Sequence, residues 1–353
     1  MRTIKPMRAI KWIAAFVLVA GAGGVIFWFW ITGQSMYSPG ESAELELDPV
    51  SHSADGAWRV STDVSLHHFA SGTGRNMLYV HGGPGIPATT AAPGLDLGGY
   101  RVHYYDQRGT GQSSRPFQGA VSSSMFRNVQ ALVGALGIAQ QVADIERIRR
   151  ILGDEQLFLV GHSYGALLAS LYAAEFPDRV ARLILIAPAN LLEFPSPEGT
   201  LFDTVRERLP EGDREAYDAW LAEHLDVGSV FDKSTSELRA IDGAFLPFFE
   251  KAAGPVPREF AVEMGVWHVR AQYFGMGRRH DWRPGLASYS GPVLIVHGGK
   301  DLQSLDVSES FAASFGGPAD VRTIAQAGHF PHYTHPAEVA EIIDRFLAEE
   351  HAN

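Results

Sequence analysis

The sequence predicts an α/β fold: a mostly parallel central sheet with helices on both faces, a helical cap insertion and an N-terminal transmembrane helix. Three observations predict it. From about residue 58 onward, short apolar runs alternate with amphipathic segments, as strands buried on both faces require. That rhythm stops between Leu191 and Leu286, where aromatic-rich helical segments show no convincing strand. Ahead of both, Trp12 to Ile31 reads WIAAFVLVAGAGGVIFWFWI, 20 residues without a charge.

The N-terminal elements come first. Arg2, Lys5, Arg8 and Lys11 precede the apolar run, and the first acid is Glu41. As a helix the run would span about 30 Å, the thickness of a bilayer's hydrocarbon. Trp12 at one end and Phe27 to Trp30 at the other suit the two water interfaces. The basic tail, residues 1–11, then belongs in the cytoplasm and the rest of the chain on the extracytoplasmic side. A signal peptide cleaved near Ala20-Gly21-Ala22, giving a secreted protein, is the alternative. It would leave GGVIFWFWI as an exposed apolar start. Residues 32–57, rich in Ser, Pro, Gly and Glu, read as a polar linker.

Charge and cysteine usage narrow the function classes. The 353 residues carry 40 acidic and 29 basic groups, a net charge of −11. Without the four tail bases the balance is 25 basic against 40 acidic groups, or −15. An acidic body argues against nucleic acid as a partner, since that binding depends on neutralising phosphates. There is no cysteine, which excludes disulfides, thiolate metal sites and a cysteine nucleophile.

Strands are expected over Asn76–Val80, Tyr100–Tyr105, Leu157–Val160, Arg182–Ala187, Pro292–Val296 and Val321–Ile324. Helices are expected over Ala139–Leu152, Ala166–Phe176, about Val307–Phe315 and from Pro336 to about Glu350. The sheet domain therefore occupies residues 58–190 and 287–353, with the helical cap over 191–286.

Gly161-His162-Ser163-Tyr164-Gly165 falls between a strand and a helix, the setting of a nucleophile elbow. Side chains at 161 and 165 would collide in so sharp a turn, and the turn lifts the Ser163 hydroxyl above the sheet. A serine nucleophile needs a base, and the base an orienting acid. Asp301 follows the strand PVLIV and the turn HGGK; His329 lies in QAGHFPH before the last helix. Asp306 reads instead as a helix N-cap, Glu193 as a weaker alternative acid, and His332 and His335 as lying further into the loop. Acyl transfer also needs donors for an oxyanion. Tyr164 N–H is one, and the glycine-rich turn His81-Gly82-Gly83-Pro84-Gly85 supplies another, Gly83 with Gly82 as fallback. The turn lacks the GK[ST] of a phosphate loop. No metal or organic cofactor is called for.

HGGPG at 81–85, DQRGTGQS at 106–113, VADIERIRRILG at 142–153, GHSYG at 161–165, HGGKD at 297–301 and AGHFPH at 327–332 together resemble the α/β-hydrolase superfamily, and within it the proline iminopeptidase branch. The resemblance implies an α/β-hydrolase fold and a Ser163-His329-Asp301 triad. It further implies that Asp106 and Arg108, with His81, Gly82 and Pro84, support the loops around the site. The implied activity is removal of an N-terminal residue, preferably proline, from short peptides. Two features depart from the branch. SSMFRNVQALVGALG is inserted between Ser113 and Ala139, and the cap does not align. The resemblance implies that cap carboxylates hold the substrate's free amine, and Glu193, Glu198, Glu250 and Glu263 are candidates for that role. An esterase, lactonase or amidase acting on a small apolar acyl group is the second reading; an inactive hydrolase-fold binding protein is the remote third.

Overall fold

The computed structural model describes residues 33–49, 51–52, 56–257 and 264–348. The expected membrane span over 12–31 and the cap residue Glu263 lie outside them. Among the described residues no helix is long and apolar enough to cross a membrane.

Seven strands form the central sheet: β1 (His68–Gly72), β2 (Arg75–Val80), β3 (Tyr100–Tyr105), β4 (Leu157–His162), β5 (Val180–Ile186), β6 (Val293–Gly298) and β7 (Ala319–Ile324). Their order is β7-β6-β5-β4-β2-β3-β1. All neighbours are parallel except β1, which runs antiparallel to β3. β4 and β6 are buried along their whole length, which is why they read as unbroken apolar runs. β1 was not expected; HFASG is half-buried and has no alternating pattern.

Helices cover both faces. On one face α2 (Ile138–Leu152), α3 (Tyr164–Glu175) and α9 (Leu305–Ser314) share a core with the sheet. On the other, α10 (Pro336–Ala348) packs through Val339, Ile343, Phe346 and Leu347. The residue at the N-cap of α9 is Ser304, so Asp306 sits in its first turn rather than at its cap.

Between β5 and β6 lie α4 (Leu201–Arg208), α5 (Glu211–His224), α6 (Thr235–Gly243), α7 (Leu246–Ala253) and α8 (Val266–Met276). Thr200 and Ser234 open α4 and α6 with capping boxes, each taking the N3 backbone N–H. The insertion after Ser113 forms α1 (Met125–Leu136), whose Leu132 and Leu136 pack on Val266, Trp267 and Ala271 of α8. The extra segment thus walls the cap. A two-stranded pairing of Glu193–Phe194 with His280–Asp281 closes the base of the insertion, a strand that residues 191–286 did not announce.

Residues 33–48 are not the free linker that their composition suggests. Ser35 and Met36 N–H donate to Arg279 and Gly275 carbonyls, at 3.0 and 2.8 Å. Tyr37 is buried in the core with its hydroxyl donating to Glu175. Polarity misled here because the segment's polar groups bond to the protein instead of to water.

Candidate active site

Ser163 joins β4 to α3 at φ 54°, ψ −119°, in a region that costs an ordinary residue on the order of 1–3 kcal/mol. Its backbone is pinned from both sides. Ser163 N–H donates to Ile186 O at 2.9 Å, while its carbonyl accepts Ala166 N–H at 3.0 Å and Ala189 N–H at 3.2 Å. The flanking glycines are sterically required. A Cβ at 161 would lie 2.6 Å from Ala166 Cα, and one at 165 would lie 2.6 Å from His81 O.

Three side chains from separate loops meet here. His329 Nε2 is 2.9 Å from Ser163 Oγ, and His329 Nδ1 is 2.9 and 3.0 Å from the two Asp301 carboxylate oxygens. A carboxylate only accepts, so Nδ1 carries the imidazole proton and Nε2 presents its lone pair to the serine hydroxyl. All three residues are buried. Burial opposes the charge on Asp301, but His329 beside it and the Gln303 N–H, 3.1 Å away, outweigh burial and hold its pKa below the usual carboxylate range.

Behind His329 lies a second layer that the sequence did not signal. His162 Nε2 donates to the His329 carbonyl at 2.8 Å, which ties the base loop to the elbow. Burial lowers His162 to about 3, so it is neutral. His332 is turned away from the serine, its Nε2 against Tyr79 OH at 3.1 Å. His335 meets its neighbour Thr334 at 2.9 Å. Neither joins the triad.

The 81–85 turn crosses directly over the elbow. A Cβ at Gly82 would lie 2.9 Å from Ser163 Cβ, and Gly83 has φ 126°, where a side chain would meet the backbone of residues 85 and 86. Gly83–Pro84 is cis. Tyr164 is the first residue of α3, so its N–H belongs to the set with no intrahelical acceptor. His81 supports this turn from below. It accepts Gln107 N–H on Nε2 at 3.1 Å, donates from Nδ1 to Gly82 O at 3.0 Å, and burial lowers it to about 3.

Asp106 and Arg108 stabilise the neighbouring loop. Asp106 accepts Gln112 N–H at 2.8 Å, and burial raises its pKa. Arg108 forks onto Asp144 with two 2.6 Å bonds and donates to Ala135 O at 3.0 Å. Asp144 also takes Arg147, at 2.8 Å. α8 binds these pieces together. Gly265 N–H donates to Gly85 O at 2.9 Å, His268 Nδ1 to Arg108 O at 3.0 Å, and Gln272 accepts Tyr164 OH at 2.7 Å.

None of the described cap carboxylates named from the sequence makes a hydrogen bond or ion pair to Ser163, Asp301 or His329. Glu193 pairs with Arg283 at 2.8 Å, Glu198 accepts Ser196 OH at 2.6 Å, and Glu250 is exposed. A cavity of about 210 Å³ is lined by Thr200, Thr204, Arg208, Leu302, Gln303 and Ser304, beside the Asp301 loop. Arg208 donates to Asp301 O at 2.7 Å, so this cap helix fixes the acid's backbone. Among the described residues no cluster could hold a metal ion.

The family model described as alpha/beta hydrolase fold matches residues 75–336, which takes in Ser163, Asp301 and His329. The chain belongs to the α/β-hydrolase fold family. It is 30% identical over 291 residues to a proline iminopeptidase of Saccharolobus solfataricus, covering 78% of this chain and 86% of that one. It is 26% identical over 305 residues to a 2-hydroxymuconate semialdehyde hydrolase of Pseudomonas sp. (strain CF600), covering 82% and 92%. Other curated relatives are matched over a shorter part of their length, 30% of one and 34% of another. Among solved structures, a proline iminopeptidase of Mycobacterium smegmatis superposes with a TM-score of 0.56 at 19% identity, over 82% of this chain and 96% of that one. This α/β hydrolase thus shares its fold with enzymes of several substrate classes.

Proposed function

We propose that this α/β hydrolase is a membrane-anchored serine hydrolase working through an acyl-enzyme. The unbroken relay from Asp301 through His329 to Ser163 Oγ carries the reading. Ser163 Oγ attacks the substrate carbonyl as His329 Nε2 takes its proton, and ionised Asp301 stabilises the resulting imidazolium. Tyr164 and Gly83 N–H receive the oxyanion. The proton passes to the leaving group, the acyl-enzyme forms, and water activated by His329 releases the acid.

The substrate class follows the relatives: a short peptide losing its N-terminal residue, in the manner of a proline iminopeptidase. The likeness to the Saccharolobus solfataricus protein supports this choice. An esterase, lactonase or amidase is the second reading. It is favoured by the engagement of Glu193 and Glu198 elsewhere, which leaves neither oriented by the described contacts toward a substrate amine. Residues 12–31 anchor the enzyme, with the catalytic domain on the extracytoplasmic side.

A fluorophosphonate is expected to label the wild type and not Ser163→Ala; an unlabelled but folded wild type rejects the serine nucleophile. Prolyl and alanyl arylamides are expected to be cleaved at least tenfold faster than their N-acetylated forms. Equal rates on free and blocked amines, or a preference for aryl esters, would move the enzyme to the second reading.

A further inference from the structure

Residues 33–48 form a strap fastened along its length. Gly33 O accepts Arg278 N–H at 2.7 Å, and Gln34 makes a parallel bridge with Arg279. Gly277, at φ 64°, leaves no room for a Cβ, which would lie 2.8 Å from Gln34 C. Further along, one carboxylate holds three strap residues. Glu175 accepts Tyr37 OH at 2.5 Å, Ser42 N–H at 2.9 Å, Ser42 OH at 3.0 Å and Ala43 N–H at 3.3 Å. Arg147 then grips Glu46 O, and Arg150 pairs with Asp48 at 2.6 Å.

The apolar run ends at Ile31, two residues before Gly33 in sequence, and Gly33 is hydrogen-bonded just beyond the C-terminal end of α8. Arg278 and Arg279, at that point, are exposed. Neither makes an ion pair among the described residues. The nearest acids in sequence are already satisfied: Arg283 pairs with Asp281 and Glu193, each at 2.8 Å. Among the described residues, then, two guanidinium groups without an ion pair stand beside Gly33 on an acidic body, and Gly33 follows a 20-residue apolar run by two positions in sequence.

We propose that Arg278 and Arg279, with the start of the strap, seat the catalytic domain on the headgroup layer of an anionic bilayer by binding lipid phosphate groups. The inference rests on residues 12–31 being the membrane anchor. Guanidinium groups suit this partner because their planar donors match phosphate oxygens, and the attraction is screened by salt.

The absence of cysteine allows a clean test. Full-length Gln34→Cys, labelled with bimane, is placed in nanodiscs of phosphatidylcholine with or without phosphatidylglycerol and quenched with uncharged acrylamide. Quenching is expected to be at least threefold weaker with phosphatidylglycerol, and the difference to vanish in 0.5 M salt and in R278Q/R279Q. R278K/R279K, which keeps the charge, is expected to retain it. A label at Glu338→Cys on α10, across the sheet, is expected to show no lipid dependence. Equal quenching at position 34 in both disc types, or a glutamine variant that behaves like wild type while folded and disc-bound, overturns the proposal. A chain that elutes apart from the discs overturns the anchor itself, a separate failure visible before any quenching is read.

Discussion

Ser163 shows how much local structure one strained residue demands. Its positive φ is held by backbone hydrogen bonds to its N–H and its carbonyl, and both flanking glycines are required: Gly165 O and the Ala166 backbone lie where a Cβ at 161 would go, and the carbonyls of residues 80 and 81 where one at 165 would go. Gly165→Ala is therefore expected to destabilise the protein by more than about 3 kcal/mol, read as a fall in the denaturant midpoint; wild-type stability would show that the elbow can relax. The elbow was legible in GHSYG because the glycines have no other reason to flank a serine between strand and helix. His162 was not legible in its working role, since nothing in sequence says that its ring reaches the carbonyl of residue 329. His162→Phe keeps the bulk and loses the bond. Its kcat is expected to drop at least fivefold with KM little changed, whereas a purely packing role would leave kcat intact.

At the scale of the element, α2 and α8 depart most from their patterns. The charged residues of α2 suggested a face separate from its apolar stripe, yet Asp144, Glu146, Arg147 and Arg149 are all buried. They survive there because each is paired, Glu146 with Arg149, Arg150 and Tyr172 OH at 2.7–2.9 Å. Burial works against the Glu146 charge and these partners overcome it, so its pKa is lowered. Asp144→Ala leaves two buried guanidinium groups without their shared partner and is expected to cost about 3–5 kcal/mol in unfolding experiments. α8, VWHVRAQYFGM, has no amphipathic face because it is surrounded: α1 covers one side, the elbow another and α6 a third. A periodicity argument finds the helix but not its position, since position is set by partners distant in sequence. Gln272 bonds Tyr164 OH, Leu136 O and His268 O. Gln272→Leu orphans the first two and is expected to cost about 1–3 kcal/mol, with the melting temperature as the check.

Across the whole molecule, buried neutral histidines set the response to acid. Burial lowers His81 and His162 to about 3 and His268 to about 4. The unfolded chain protonates near 6.5 and so binds more protons than the folded one between those values. Stability is thus full above about pH 6.5 and falls as pH drops towards 3–4, each histidine contributing on the order of 1 kcal/mol per pH unit. Asp301, held low, adds its loss further down, as pH falls through the carboxylate range. A denaturant midpoint unchanged between pH 7 and pH 5 would contradict this. Six of the seven sheet strands and the three residues at the sheet's carboxyl edge could be read from apolar runs and short motifs, because those elements are specified locally; the order of the strands, set by pairing distant in sequence, could not. The strap could not, because SMYSPGESAELELD is polar in composition and its docking is decided by Glu175, Arg147 and α8, none nearby in sequence. That docking bears on what the enzyme can reach. Sixteen unattached residues would let a tethered domain wander roughly 20 Å from its mooring. With 33–48 laid down, those sixteen residues give no slack. For a chain moored as proposed, Ser163 then works at one height above the lipid, and substrates must come to it; the domain cannot sweep a volume to find them.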